Sequence, residues 1–244
     1  MKLREERLGE LIETVGSKSR NFTDPPIIVI GGYALRGHVP FQRYSRDCDF
    51  AMPKGTRWII DRVEDWLSMN TETKEKFETH GYLRVIELAS SGRQKIKISL
   101  DFMEGEIRGR KGETFKIDEA FVSNAVSTEI PVGSRALRIR VPHYQDYYIL
   151  KLLSGRPSDI FDLAALTWQN GVPEHQALIK RIKVVVNVPH RIIENIEVAV
   201  ADIADDRFLD SWRGTFTGQK LNESDKQKIL RGFRALTRSV QDAF

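Results

Sequence analysis

The chain has 244 residues, of which 41% are hydrophobic and 30% charged, with a formal net charge of +4. That length supports one large domain or two modest ones with real cores, and the balance excludes a disordered or fibrous chain. The single cysteine, Cys48, excludes an intrachain disulfide and predicts a reducing, cytoplasmic setting.

Leu3, Leu8, Leu11, Ile12 and Val15 recur at helical spacing, predicting an amphipathic helix over 3–17 rather than a secretory leader. Pro25 and Pro26 force an extended stretch, after which 27–30 reads as a short buried strand ended by Gly31 and Gly32. A short helix over 33–37 and a strand over 47–52 follow. The stretch 56–80 reads as one long helix, with Thr56 as N-cap and Gly81 as the C-terminal glycine. Strands are expected at 82–88 and 95–103, joined by a hairpin through SSGRQ, then at 114–117 and 136–141. Helical patterns dominate after Pro142, over 143–154, 157–169, 174–186, 190–205 and 223–240. The expected fold class is α+β. A mixed sheet flanked by helices spans 1–142 and an all-helical domain spans 143–244. No apolar run approaches the ~20 residues of a membrane span.

The chemistry centres on three aspartates. In a strand, residues two apart share a face, so Asp47 and Asp49 point the same way and Cys48 the other. In KIKISLDFM, Ile96, Ile98 and Leu100 make a core face, and Lys97, Ser99 and Asp101 the polar one. If the two strands are neighbours, Asp101 joins the first two. Three converging carboxylates repel unless cations lie between them, and hard oxygen donors suit magnesium or manganese. Two such ions clamp an in-line attack at phosphorus. The Gly31-Gly32 turn lets backbone N–H groups approach a phosphate, but it is neither a P-loop nor a dinucleotide fingerprint.

GGYA, then RYSRDCDF, then ISLDF resembles the nucleotidyltransferase superfamily with the polymerase-beta-type fold. Arg43, Ser45, Asp47 and Asp49, spaced R-x-S-x-D-x-D, are similar to the subgroup containing AbiEii-type toxins. So is VPHYQDYYILKLLSGRPSDIFDLAAL, with Lys151, Arg156, Asp159 and Asp162. The resemblance implies Mg2+ or Mn2+ at Asp47, Asp49 and Asp101, with Asp101 helping to deprotonate the acceptor hydroxyl. It implies an NTP substrate bound through Gly31, Gly32, Ser45 and Lys151, and second-domain contacts at Arg43, Arg156, Asp159 and Asp162. The acceptor it allows is RNA, tRNA included, a protein side chain or a small molecule, and a toxin-like role would bring a cognate antitoxin. Many relatives carry Ser or Thr after the glycines where this chain has Tyr33.

The alternative is a catalytically inactive binding module or antitoxin-like protein on the same fold. Read without the resemblance, Asp159 also fits a helix start behind Pro157 and Ser158, and Asp162 a pairing with Lys151 or Arg156. Arg93, Lys95, Arg108, Arg110 and Lys111, with Arg135, Arg138 and Arg140, offer cations to an RNA backbone, although each alone reads as solvated surface. The five histidines lack zinc-ligand spacing.

Overall fold

The computed structural model describes residues 2–91, 94–109 and 112–244. Arg93, Arg110 and Lys111 lie outside these residues, as does the tip of the SSGRQ hairpin. The chain forms two compact units. The first comprises residues 1–37, 45–107 and 116–143, and the second 38–44, 108–115 and 144–244.

The first unit opens with α1 (Lys2–Lys18), whose Leu8, Leu11, Ile12 and Val15 are buried as their spacing requires. Its core is a five-stranded sheet in the order β1-β2-β5-β4-β3. β1 (Ile28–Ile30) runs antiparallel to β2 (Asp47–Met52), with α2 (Gly31–Leu35), little more than one helical turn, between them. β2 pairs in parallel with β5 (Gln94–Glu104), and β5 is antiparallel to β4 (Gly81–Ser91). The mixture of parallel and antiparallel pairs makes the expected mixed sheet. The apolar faces of β4 and β5 (Leu83 and Val85; Ile98, Leu100 and Phe102) are buried, leaving the opposite face to the polar residues.

The long helix expected over 56–80 does not form. Helix α3 covers only Ile59–Trp66, and Asn70–Lys76 is strand β3, paired with β4 at the sheet edge. The sequence NTETKEK has helix-favouring Glu and Lys. Its alternating threonines and the pairing offered by β4 override that local preference, and the charges suit an exposed edge. Thr56 does not cap α3. The buried Glu104 reaches across from β5, and its Oε2 accepts from the N–H groups of Ile59 (2.8 Å) and Ile60 (3.0 Å). Gly81 opens β4 instead of closing a helix.

Three elements of this unit carried no sequence expectation: β6 (Glu106–Arg108), α4 (Glu119–Ser123) and β8 (Val126–Val132). β6 pairs with β7 (Thr114–Lys116), and β8 pairs with β9 (Arg135–Val141).

The second unit is helical: α5 (Tyr144–Ser154), α6 (Pro157–Asn170), α7 (His175–Val185), α8 (His190–Ala204), α9 (Phe208–Thr215) and α10 (Glu223–Gln241). All but α9 match expected segments. The core of this unit includes an aromatic cluster in which Trp212 lies 5.9 Å from Trp168 and 4.5 Å from Phe216, centroid to centroid. No described helix is long and apolar enough to cross a membrane.

Candidate active site

The sheet unit assembles the aspartates by register. Asp49 on β2 is the direct partner of Asp101 on β5, and Asp47, two residues earlier, is the partner of Ser99. Residues paired across parallel strands point to the same side, so all three carboxylates share one polar face. Asp47 and Asp49 are half-buried and Asp101 is buried.

Gly31 stands at the end of β1 with φ +68°, a conformation that favours glycine. A Cβ placed there would lie 2.0 Å from Asp49 Oδ2, so the missing side chain is what lets the carboxylate lie against the turn. Ser45 Oγ lies 3.1 Å from the Asp47 carbonyl and 3.2 Å from Asp47 Oδ1, acting as donor and steadying the first aspartate. Tyr33, two residues past Gly31, is turned into the core. Its ring is buried beneath the Arg36 guanidinium, 4.3 Å away, and Arg36 in turn pairs with Glu5.

Two partners of Asp101 were missed in the sequence, Tyr82 and Arg84 on β4. Arg84 is the antiparallel partner of Asp101. Its Nε donates to Asp101 Oδ1 at 2.6 Å and its Nη2 to Oδ2 at 3.0 Å, and the Tyr82 hydroxyl donates to Oδ1 at 2.6 Å. The signal was available. Counting seven residues outward from the Ser91–Gln94 pair along both strands arrives at Arg84 and Asp101. Burial, reinforced by the bond to Asp101, pushes the Tyr82 phenol above its ordinary pKa, so it remains a donor.

With Asp101 turned into this clasp, no three acidic, histidine or cysteine side chains among the described residues already form a metal cage. The donor set nonetheless fits a hard divalent cation. It consists of carboxylate oxygens on one face of two adjacent strands, with Asp49 lying against the Gly31 turn. Burial holds the Cys48 thiol, on the other face, well above its usual pKa.

The remaining expected residues gather within the helical unit. Lys151 on α5 lies 2.7 Å from Asp159 Oδ1 and 2.7 Å from Asp162 Oδ2, both on α6. Arg43 forks onto Asp162 through Nε (2.5 Å) and Nη2 (2.7 Å), and Arg156 Nε donates to Asp159 Oδ2 at 2.9 Å. Asp159 also closes a capping box at the start of α6, as its position behind Pro157 and Ser158 suggested. Burial alone would lower the Lys151 pKa, but Asp159 and Asp162 outweigh it and raise it. Burial likewise works against the Asp159 carboxylate, yet Lys151 and Arg156 hold it below the usual range. Three cations against two carboxylates leave this cluster one positive charge in surplus.

The family model described as the AbiEii nucleotidyl transferase toxin of type IV toxin–antitoxin systems matches residues 16–239. The crystal structure of JHP933 from Helicobacter pylori is similar at a TM-score of 0.52 and 16% identity, covering 98% of this chain and 94% of that one. A candidate nucleotidyltransferase from H. pylori follows at a TM-score of 0.49 and 15% identity, with 97% of each chain covered. No curated protein matches the sequence.

Proposed function

Because the chain belongs to the AbiEii nucleotidyl transferase toxin family, we propose that it moves a nucleoside monophosphate from an NTP to an acceptor hydroxyl and releases pyrophosphate. The acceptor we assign is RNA, with tRNA the first substrate to test. The observation that carries the reading is the register pairing of Asp49 with Asp101, with Asp47 on the same face, immediately beyond the Gly31 turn.

Asp47, Asp49 and Asp101 would hold Mg2+ or Mn2+. When bound, such a cation supplies charge neutralisation at the phosphates and lowers the pKa of an attacking hydroxyl. Among the chain's own groups, Asp101 is the acceptor for the hydroxyl proton. Ser45 fixes the Asp47 carboxylate through the bonds already described. The turn at Gly31 and Gly32, against which the Asp49 carboxylate lies, is the backbone we assign to the phosphates by the family resemblance. Lys151 is the cation we assign to the triphosphate. The family resemblance supports that assignment, and two of the three Lys151 ammonium donors are committed to Asp159 and Asp162. Arg43 and Arg156 keep those two carboxylates in place. The domain division we carry forward is a nucleotidyltransferase-like part over 1–142 and a helical part over 143–244. The toxin family supports a cognate antitoxin as partner, and the single buried cysteine supports a cytoplasmic setting.

The test is incubation of the protein with each α-labelled NTP, magnesium and total RNA, with protein and small-molecule fractions counted alongside. Label in RNA that is chased by pyrophosphate and absent with Asp49→Asn supports the proposal. Label confined to protein or to a small molecule overturns the RNA assignment. No label in any fraction, with the protein folded, favours a binding module.

A further inference from the structure

The clasp on Asp101 leaves little of that carboxylate for a cation. Each carboxylate oxygen accepts about two hydrogen bonds. Oδ1 already accepts from Tyr82 and from Arg84 Nε, and Oδ2 accepts from Arg84 Nη2. With the Arg84 guanidinium in place, the three aspartates carry a net −2 instead of −3, which weakens the pull on a divalent ion.

Arg84 has a second acidic neighbour within reach. Its side chain is 39% exposed, and its Nη1 stands 3.9 Å from Glu72 Oε2. Lys97 holds the other oxygen of Glu72 at 2.5 Å, fixing that carboxylate beside the guanidinium. A small side-chain rotation would exchange Asp101 for Glu72 as the partner of Arg84 while Tyr82 continues to orient Asp101.

We propose that Arg84 is a displaceable latch on Asp101. It holds the third carboxylate until a divalent cation arrives, then transfers to Glu72, and so sets the cation concentration at which the site forms. This rests on the reading that Asp47, Asp49 and Asp101 hold a cation. Arg84 acts through Asp101 and is therefore a positioning residue.

The experiment titrates Mn2+ alone into the full-length chain at fixed ionic strength and follows free Mn2+ by its electron paramagnetic resonance signal. Circular dichroism establishes that each variant is folded. Arg84→Met should tighten Mn2+ binding about tenfold, equivalent to about 1.4 kcal/mol. Arg84→Lys keeps the charge but not the two-bonded fork, and should tighten it by a smaller factor. Glu72→Gln removes the second seat and should weaken it. In an Asp101→Asn background, Arg84→Met should tighten binding by a much smaller factor, because only the general effect of the charge remains. Equal affinities for Arg84→Met and the parent overturn the latch while the cation site stands. Weaker binding by Arg84→Met overturns it as well, as does parental affinity in Arg84→Lys, which would reduce the effect to bulk charge. If neither the parent nor any variant binds Mn2+, the cation site itself fails and the latch with it. Should Arg84→Met not fold, Arg84→Lys and Glu72→Gln carry the same test.

Discussion

Gly31 and Asp49 fit together only because Gly31 has no side chain: Asp49 Oδ2 occupies space 2.0 Å from where a Cβ would be, and Gly31 is held at φ +68°. Gly31→Ala therefore does two things at once. Left-handed backbone costs a non-glycine residue about 1–2 kcal/mol, and the new methyl group must push the Asp49 carboxylate aside. A loss of 1–2 kcal/mol lowers the melting temperature by about 2–8 °C in a chain of this size. Nucleotide incorporation should fall by more than that stability loss explains, because the displaced group is the proposed cation ligand. A thermal melt and the incorporation assay, run at a temperature where both proteins are folded, check this.

Asp49→Asn and Asp101→Asn should each remove about 100-fold or more of the incorporation activity, since even partners of metal ligands cost 10–100-fold. Ser45→Ala, which removes only the hydroxyl steadying Asp47, should cost about tenfold by the same scale. The ordering matters more than the sizes. If Ser45→Ala proves more damaging than Asp49→Asn, the carboxylates are not the cation platform.

The acidic trio was legible in the sequence because strand alternation is a strict rule: Asp47, Asp49 and Asp101 declare their face as soon as KIKISLDFM and DCDFAM are read with period two. Adjacency was not legible, because β2 and β5 are parallel partners separated by a helix and two strands, and no local signal encodes that pairing. The error over 56–80 has the same origin. NTETKEK becomes a strand because β4 offers it an edge, a tertiary circumstance that its Glu and Lys content does not report. Arg84 was overlooked although the hairpin register places it opposite Asp101, since YLRVIEL draws attention to its apolar face. Lys151, Asp159 and Asp162 were visible as helical neighbours, whereas Arg43, which joins them from more than a hundred residues away, was expected there only through the family resemblance.

Lys151→Met tests the buried cluster in the helical unit. Asp159 and Asp162 have fully buried side chains, so removing the ammonium leaves carboxylates short of a partner. Breaking a buried ion pair from one side costs about 3–5 kcal/mol. Urea unfolding followed by helical circular dichroism should show that loss. Lys151→Met combined with Asp159→Asn should recover part of it, because the uncompensated charge goes too. A loss below about 1 kcal/mol, the range of exposed pairs, would mean that the cluster is solvated.

The same cluster predicts a pH dependence whose sign is fixed. Asp159 has a folded pKa below its unfolded value, with Lys151 and Arg156 overcoming the opposing effect of burial. Its stabilising contribution is complete above the ordinary aspartate pKa of about 4 and fades as pH falls toward the folded value. Lys151 is shifted upward, so its contribution is complete below the ordinary lysine pKa of about 10.4 and is lost only as pH rises beyond it. Between these limits the cluster contributes a constant amount. Below pH 4 the parent protein should lose stability more steeply than Asp159→Asn, and the gap between their urea midpoints should narrow as acid is added. The measurement is the urea midpoint of the helical signal from pH 7 down to pH 2.5. Parallel curves for the two proteins across that range would show that Asp159 titrates as an ordinary carboxylate and that Lys151 and Arg156 do not hold it ionised.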